Sequence, residues 1–438
     1  MIGNTGIIII IAVLSSAVLS SMIGLVFSLI RPHLYKQYDL KIVSSEGGVE
    51  YIIPENGTPY LIKRKQDGNI SDEPFKILTC ADLHIHSEHS ELTFTVLSRF
   101  LEKEKPDLVI LLGDNIVGRT DTVMQEKLKD FFEERKQYWT FVLGNHDSER
   151  KIKEDMKEAV NEGELSREQK DQITAEGRKW MFDSLAGSPY CVARDEGEGE
   201  IFGSGNCVVN IKNFNGISQS LFFFDSGDYI NDDKIKRKGF VTEKRSYDYI
   251  KDNQIAWYKK RIQEITAENG GNTPKSMAFF HIPLREYQEA FIHVILKNGR
   301  AKRVYGNNME PVCASNIKSG IFEAFRESGS TNCVVCGHDH KNDSSIIYKG
   351  IRLMYSQGLQ YDSAYNRRKK AYFLKLLNKI SPRLCCFVEG VTIFLVNSEG
   401  RVDITPRYAQ RENVFHGLEK HFDSAYLTGS VKKEKIKE

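Results

Sequence analysis

Short apolar runs of strand type recur along the middle of the chain, and polar side chains follow each one directly. Runs of this kind are typical of strands that are buried on both faces of a sheet. Because residues at the carboxyl ends of such strands meet in one crevice in open α/β sheets, we expect the polar residues to lie together. The runs are residues 75–79, 108–112, 140–143, 278–280 and 333–335.

Alternating and helical patterns predict further elements around these runs. Residues 49–65 alternate as in a β-hairpin that turns at Asn56-Gly57 and flanks the sheet. Polar helical patterns cover residues 149–160 and 166–185, and the second opens with a capping box between Ser166 and Gln169. The charged residues of both helices are expected to face solvent.

A second sheet is predicted from residues 203–211 and 220–224, which have the pattern of paired strands, and residues 391–396 predict the last strand. The predicted fold class is α/β, with two packed mixed β-sheets flanked by helices in an αββα sandwich. The chain divides into four predicted parts: an N-terminal membrane anchor with a juxtamembrane segment at 1–40, a hairpin-like linker at 41–74, the main domain at 75–405 and a charged C-terminal tail at 406–438.

The polar residues after the strands are of the kinds that hold two metal ions side by side. Two divalent cations ~3.5–4 Å apart need a bridging carboxylate, with imidazoles and oxygen donors to complete each coordination sphere. The candidate bridge is Asp114. One ion could be completed by Asp82, His84 and His340. The other could be completed by Asn145, His281 and His338.

Such a pair of ions acts on phosphate esters through a water or hydroxide that both charges acidify and that attacks phosphorus in line. No protein nucleophile is required. Histidine, asparagine and carboxylate donors suit Mn, Fe and Zn, so the expected cofactors are two divalent or transition metal ions of open identity. The predicted partner is a phosphate ester substrate.

The motifs occur in the order Asp-x-His, Gly-Asp, Gly-Asn-His-Asp, His and Gly-His-x-His, which resembles the calcineurin-like metallophosphoesterase superfamily over residues 75–405. Residues 222–229, 254–257 and 281–284 are similar to its branch related to purple acid phosphatases. Purple enzymes use a tyrosine three residues after the bridging aspartate as a ferric ligand. Val117 occupies that position here, so a tyrosinate-bound ferric ion is not implied.

The resemblance also implies roles for His146 and Asp147. In the resembled family this histidine contacts the phosphate and helps the leaving group to depart. Asp147 is expected to fix the tautomer of His146, as carboxylates do for catalytic imidazoles. The alternative interpretation is a buried His-Asp pair with a structural role.

The N-terminus predicts a lipid bilayer as a second partner. Residues 6–30 contain no charged residue, and about 20 apolar residues suffice to span a bilayer. A cleaved signal peptide is the alternative, but the basic n-region is missing and the apolar run continues well past Ala17. Residues 367–377, a basic run followed by an apolar one, could rest on anionic headgroups or form an amphipathic surface helix.

Charge and cysteine content bear on the location of the domain. The basic residues near the predicted span all follow it, and the positive-inside rule then places the catalytic domain in the cytosol. These residues are Arg31, Lys36 and Lys41. The 8 cysteines are expected to be free and mostly buried, which agrees with a reducing compartment. Because 61 basic and 59 acidic residues give a net charge of +2, no nucleic-acid-binding surface is predicted.

The predicted function is a membrane-tethered, metal-dependent phosphoesterase, and the resemblance favours a phosphomonoesterase. The alternative among enzymes is a phosphodiesterase that acts on nucleotides or lipid headgroups, because the same dinuclear core serves both reactions. A non-catalytic, metal-stabilised interaction module is the alternative from another class. The presence of His146 together with every metal ligand argues against that alternative. The oligomeric state stays open.

Overall fold

The computed structural model describes residues 48–409, except 87–89, 118–120, 161–164, 198, 232–244 and 360–388, together with Glu412 and Val414. Its strands are β1 (Val49–Ile52), β2 (Tyr60–Lys63), β3 (Phe75–Cys80), β4 (Leu108–Leu112), β5 (Trp139–Val142), β6 (Cys207–Asn213), β7 (Gly216–Phe223), β8 (Tyr229–Asn231), β9 (Arg245–Tyr247), β10 (Ser276–Phe279), β11 (Ala301–Tyr305), β12 (Thr331–Cys336), β13 (Ser345–Tyr348), β14 (Ile351–Tyr355), β15 (Gly390–Val396) and β16 (Val402–Tyr408). Its helices are α1 (Glu91–Glu104), α2 (Asp121–Glu133), α3 (Glu149–Val160), α4 (Arg167–Ala186), α5 (Asp252–Glu268), α6 (Arg285–Ile295) and α7 (Ile321–Ser328).

Two mixed sheets form the centre of the described domain. One has five strands in the order β16-β15-β3-β4-β5, and the other has nine in the order β1-β2-β6-β7-β10-β12-β14-β13-β11. Strands β3, β4 and β5 are parallel, as are β7, β10, β12 and β14. The short strands β8 and β9 form a separate antiparallel pair. The carboxyl ends of the parallel strands therefore share an edge within each sheet.

The alternation of side chains along the strands explains how the sheets pack. In β7, Phe223 faces the five-stranded sheet. Its ring stacks on Phe279, which in turn contacts Phe394 of β15. Its neighbour Phe222 points to the opposite face and contacts Trp257 of α5. This period of two residues is what a strand buried on both sides requires.

Helices cover the outer faces of both sheets. Helices α5, α6 and α7 pack on the nine-stranded sheet in a cluster that includes Tyr258, Tyr287 and Phe325. On the five-stranded sheet, Phe132 of α2 stacks on Trp139, and Phe182 of α4 contacts Phe141. The predicted α/β fold with two packed mixed sheets and helices outside is the observed architecture.

Several local predictions are confirmed, and three strands, β1, β2 and β16, extend the domain beyond its predicted limits. The hairpin forms as β1 and β2, and α3 and α4 occupy the predicted helical stretches, with both capping-box bonds between Ser166 and Gln169. However, β2 pairs with β6, so the hairpin belongs to the nine-stranded sheet rather than to a linker. Strand β16, which was not predicted, continues to Tyr408 and so passes residue 405.

The predicted membrane-associated segments lie outside the described residues. These are the span at residues 6–30 and the basic and apolar runs at 367–377. Within the part of the chain that the structure describes, no helix is both long and apolar enough to cross a membrane. The 6 cysteines in that part are free, and all except Cys313 are buried, as expected.

Candidate metal centre

The parallel strands end level with one another and deliver the predicted ligands to the same edge. Strand register pairs Cys80 with Leu111 and Leu112 with Val142, so the residues that follow these strands meet. Backbone hydrogen bonds tie the loops together, because the Asp82 N–H donates to the Gly113 carbonyl over 3.0 Å. In the other sheet, the Gly337 N–H donates to the carbonyl of His281 over 3.2 Å.

Four of the predicted ligands have a backbone conformation that side chains other than glycine rarely adopt. Their φ angles are positive at Asp82 (51°), His84 (47°), Asp114 (50°) and His338 (75°). Positive φ in a non-glycine residue costs free energy and persists only where the surrounding structure imposes it. Here it turns side chains from two sheets toward a common point.

Two glycines are required for this close packing. The φ angle of Gly113 is 85°, and a Cβ atom there would lie 2.5 Å from Nδ1 of His281. A Cβ atom at Gly144 would lie 2.1 Å from Oδ1 of Asp114. These contacts are too short for any side chain, so glycine permits the close approach of ligand-bearing loops.

One group of ligands surrounds Asp82 and Asp114. Its ligand atoms come from Asp82, His84, Asp114 and His340, and they lie within 4.8 Å of one another. The Nε2 atom of His84 is 3.4 Å from Asp114 Oδ2, and the Nε2 atom of His340 is 3.4 Å from Asp82 Oδ1. This group contains the three residues predicted for the first ion together with the predicted bridge.

A second group shares Asp114 with the first. Its ligand atoms come from Asp114, His281 and His338, again within 4.8 Å of one another. The Nε2 atom of His281 lies 3.3 Å from Asp114 Oδ2, 3.2 Å from His338 Nδ1 and 3.2 Å from Asn145 Oδ1. The structure thus brings all seven predicted ligands together, in the two predicted sets, with Asp114 between them.

Hydrogen bonding shows that these groups fit metal ions. Nδ1 of His281 lies 2.8 Å from the carbonyl of Leu112, which can only accept, so this nitrogen carries the ring proton. Nε2 then presents a lone pair to the oxygens of Asp114 and Asn145, which are also acceptors. In the first group, the buried Oδ1 of Asp82 and Nε2 of His84 have no hydrogen-bond partner in the described structure. Convergent lone pairs of this kind suit a cation.

The electrostatic potential also favours cations. Burial lowers the pKa of His84, but the nearby carboxylates of Asp114 and Asp82 outweigh it and raise the pKa to about 10. The pKa of His281 rises to about 9, because the charge of Asp114 outweighs the effect of burial. The negative potential that favours protons on these rings favours divalent ions as well, and metal binding displaces the protons.

The ring of His146 has a different partner from the one predicted. Its Nδ1 atom lies 3.0 Å from Oε2 of Glu149, the first residue of α3. Hydrogen bonding to His146 lowers the pKa of Glu149 to about 2, so this carboxylate is ionised at neutral pH. The prediction that Asp147 orients His146 is therefore wrong, and Glu149 has that position.

Asp147 instead holds the loops together. Its Oδ1 atom accepts hydrogen bonds from the N–H groups of Asn115 and Ile116, over 2.8 and 2.9 Å. Its Oδ2 atom accepts from the N–H of Gly144 over 2.7 Å. Because the side chain is buried and points to the loop after β4, it cannot also reach the partly exposed ring of His146.

Arg178 of α4 supports the same loop and was not identified from the sequence. Its guanidinium pairs with the carboxylate of Asp225, with Nε 3.1 Å from Oδ2, and donates to the Gly144 carbonyl over 2.9 Å. Both charged side chains are at most 3% exposed. Nothing in the polar pattern of this helix distinguishes Arg178 from its many charged neighbours, so only the fold reveals the pair.

Replacement of Arg178 by methionine is expected to destabilise the protein by about 3–5 kcal/mol, because Asp225 would remain buried without its partner. The free energy of unfolding is measured by urea denaturation. The matched control is Lys179→Met, which removes an exposed ion pair with Asp183 and should change stability by less than about 1 kcal/mol. Equal effects of the two substitutions would contradict the assigned role of Arg178.

Two tyrosines border the second ligand group. The hydroxyl of Tyr229 accepts a hydrogen bond from Nδ2 of Asn145 over 3.0 Å, which directs the Asn145 Oδ1 atom to the ligand cluster. Tyr229 stacks on Tyr247, with ring centroids 5.4 Å apart, and the ring of Tyr247 meets that of His338 edge to face. These contacts limit the freedom of Asn145 and His338.

A family model described as calcineurin-like phosphoesterase matches residues 75–342, which is more than half of the 438 residues. The chain belongs to the calcineurin-like phosphoesterase family. This confirms the family that the motifs predicted. The matched segment contains every candidate ligand, from Asp82 to His340.

Relatives of this calcineurin-like phosphoesterase include proteins named after purple acid phosphatases, as predicted. It is 30% identical to a probable inactive purple acid phosphatase 28 of Arabidopsis thaliana, over 68% of this chain and 72% of the relative. It is 31% identical to phosphatase DCR2 of Saccharomyces cerevisiae, over 61% of this chain and 44% of the relative. A solved dimetal phosphatase from Danio rerio aligns over 77% of this chain and 97% of its own, with 12% identity and a TM-score of 0.40.

Proposed function

We propose that this protein is a catalytically active, metal-dependent phosphoric ester hydrolase. The observation that carries the proposal is the pair of ligand groups joined at Asp114, with the ring of His146 beside them. The centroids of the His84 and His146 rings are 5.7 Å apart, so His146 borders the first ligand group. Its side chain is 36% exposed, which leaves it accessible to a substrate at the mouth of the site.

Different residues of the chain have different roles in the proposed reaction. When bound at the two ligand groups, divalent ions would supply positive charge to bind the phosphate and to acidify a water molecule. Asp114 belongs to both ligand groups, and the Leu112 carbonyl holds a proton on Nδ1 of His281, which makes Nε2 the metal-binding nitrogen. His146, held by Glu149, is placed to give a proton to the leaving oxygen. No side chain of the protein has to act as a nucleophile.

We infer that the preferred substrates are phosphomonoesters. The support is the set of relatives whose names include purple acid phosphatase. The direct test is a panel of alkyl and aryl monoesters and of diesters, assayed with metal-free protein to which Mn, Fe or Zn is returned. Faster turnover of diesters than of monoesters would assign the protein to the phosphodiesterase alternative.

The same assay tests whether the site is catalytic at all. Several relatives carry the word inactive in their names. This chain has all seven ligands and His146 in place, which supports turnover. The Asp114→Asn variant, purified in parallel, serves as the control for contaminating phosphatases. If metal-loaded wild-type protein hydrolyses no substrate faster than this control, the chain is a metal-stabilised interaction module instead.

We further propose that residues 6–30 anchor the enzyme in a membrane with the catalytic domain in the cytosol. The support is the uncharged apolar run and the basic residues that follow it. Protease protection in sealed vesicles tests the orientation. Cleavage of the catalytic domain when the protease reaches only the cytosolic face of the membrane supports this orientation, and protection from that face contradicts it.

Deletion of residues 1–40 is expected to release the protein from membranes washed with alkaline carbonate and to leave hydrolysis of a small substrate intact. The physical reason is that every ligand lies at or after Asp82. The measurements are the membrane-bound fraction and the turnover of nitrophenyl phosphate. A truncated protein that folds and binds metal but is inactive would show that the segment does more than anchor. A full-length protein that the wash removes would disprove the anchor.

A further inference from the structure

Three large aliphatic side chains are exposed together at the end of α6. Ile292 is 45% exposed, Ile295 59% and Leu296 63%. Residues three and four apart on a helix are neighbours, so these side chains form one surface, here called the apolar tip. The rest of α6 packs into the core through Tyr287 and Ala290. Among the described residues, the apolar tip is therefore the large apolar surface of this helix that the core does not cover.

Basic side chains follow the apolar tip in the chain. Lys297, Arg300 and Lys302 are exposed in and just after the turn that leads from α6 to β11. The turn is ordered, because Asn298 bonds to His293 over 2.8 Å and accepts from the N–H of Arg300 over 3.2 Å. Residues 290–309 contain four lysines or arginines and no aspartate or glutamate, although the whole chain is nearly neutral. Positive charge is thus concentrated where the apolar side chains are exposed.

We propose that the apolar tip inserts into the interface of a bilayer that contains anionic lipids. Aliphatic side chains beside lysine and arginine suit this environment, because the side chains enter the acyl boundary while the cations meet the headgroups. A protein partner fits less well, since protein interfaces are enriched in aromatic residues and depleted in lysine. The inference rests on residues 290–304 and not on the anchor proposed at residues 6–30.

The test places a tryptophan at the apolar tip. Full-length protein carrying Leu296→Trp is reconstituted into vesicles of phosphatidylserine and phosphatidylcholine with brominated acyl chains, which quench tryptophan on contact. The matched control is Val123→Trp, at a residue of α2 that is 60% exposed. Signal from the native tryptophans is subtracted with the wild type. Quenching of the tryptophan at position 296 but not at 123 is expected, and equal quenching at the two positions would overturn the proposal.

The second part of the experiment varies the charge of the protein and of the vesicles. Replacement of Lys297, Arg300 and Lys302 by glutamine, in the Leu296→Trp protein, should lower the ratio of inserted to free tip by about fivefold for each charge removed. Vesicles of phosphatidylcholine alone should weaken quenching similarly in the protein that keeps its charges. Quenching that is indifferent to both changes would refute an anionic lipid surface.

The outcomes separate this inference from the proposed anchor. Protein that resists carbonate extraction but shows no quenching at position 296 would retain the anchor and reject the apolar tip. Protein that is quenched at position 296 but that carbonate removes from the membrane would retain the apolar tip and reject the anchor. Sedimentation of the wild type and of Ile295→Ser/Leu296→Ser completes the test. Dimers that dissociate in the double variant would show that the tip contacts a second copy, which also overturns the proposal.

Discussion

Replacement of Asp114 by asparagine is expected to remove both metal ions and to abolish hydrolysis of phosphate esters. Asp114 belongs to both ligand groups, and one of its oxygens lies 3.4 Å from His84 Nε2 and 3.3 Å from His281 Nε2. Asparagine keeps the size of the side chain but removes the negative charge that both ions share. Changes to residues that only support metal ligands already weaken affinity by about 10–100-fold, so loss of the bridge should exceed this range.

Metal analysis of the purified variant and its turnover with Mn, Fe or Zn are the measurements. The control is Asp130→Asn, the same change at an exposed residue of α2. It should bind two ions and retain wild-type turnover. Near-normal turnover of Asp114→Asn with two ions bound would exclude the bridging role.

Substitution of His146 by alanine is expected to lower the rate on alkyl phosphates by ~10²–10⁴-fold, the usual contribution of a positioned general acid. The loss on nitrophenyl phosphate should be much smaller, because its anion departs without a proton. Metal content should not change, since Asn145 and not His146 is the proposed ligand. Equal losses on both substrates with metal retained would mean that His146 chiefly stabilises the phosphate charge, and loss of metal would make it a ligand.

Glu149 makes this prediction more specific. If Glu149 positions His146, then Glu149→Gln should lower the alkyl phosphate rate in the wild type but add little in the His146→Ala background. Effects that depend on one another in this way are expected of residues in direct contact. Glu154→Gln, an exposed change on the same helix, is the control and should have no effect in either background. Additive losses would separate Glu149 from His146.

Much of the fold follows from local patterns. The apolar runs at 75–79 and 108–112 became β3 and β4, and residues 149–160 became α3 with the predicted limits. Hydrophobic periodicity and helix capping depend on residues close together in the chain, so both can be recognised from a single sequence. Strand β16 was missed because it is only half-buried along most of its length and lacks a continuous apolar run.

The partners of the side chains were harder to predict. Asp147 follows His146 directly and is a reasonable partner by sequence, but in the loop after β5 the two side chains point in different directions. An acidic residue three positions after His146, at the start of a helix, was the available signal for Glu149. For the pairing of Arg178 with Asp225 there was no such signal, because 46 residues separate them in the chain.

The sequence by itself determined the family, the seven candidate metal ligands and most strands, because these depend on residue type and on spacing along the chain. Only the tertiary structure decided that Glu149 holds His146, that Arg178 supports the Gly144 loop, and that the first hairpin joins the nine-stranded sheet through β6. Each of these depends on backbone direction in a loop or on which distant segments pack together. Such contacts are set by the whole fold and leave no periodic trace in the residues that make them.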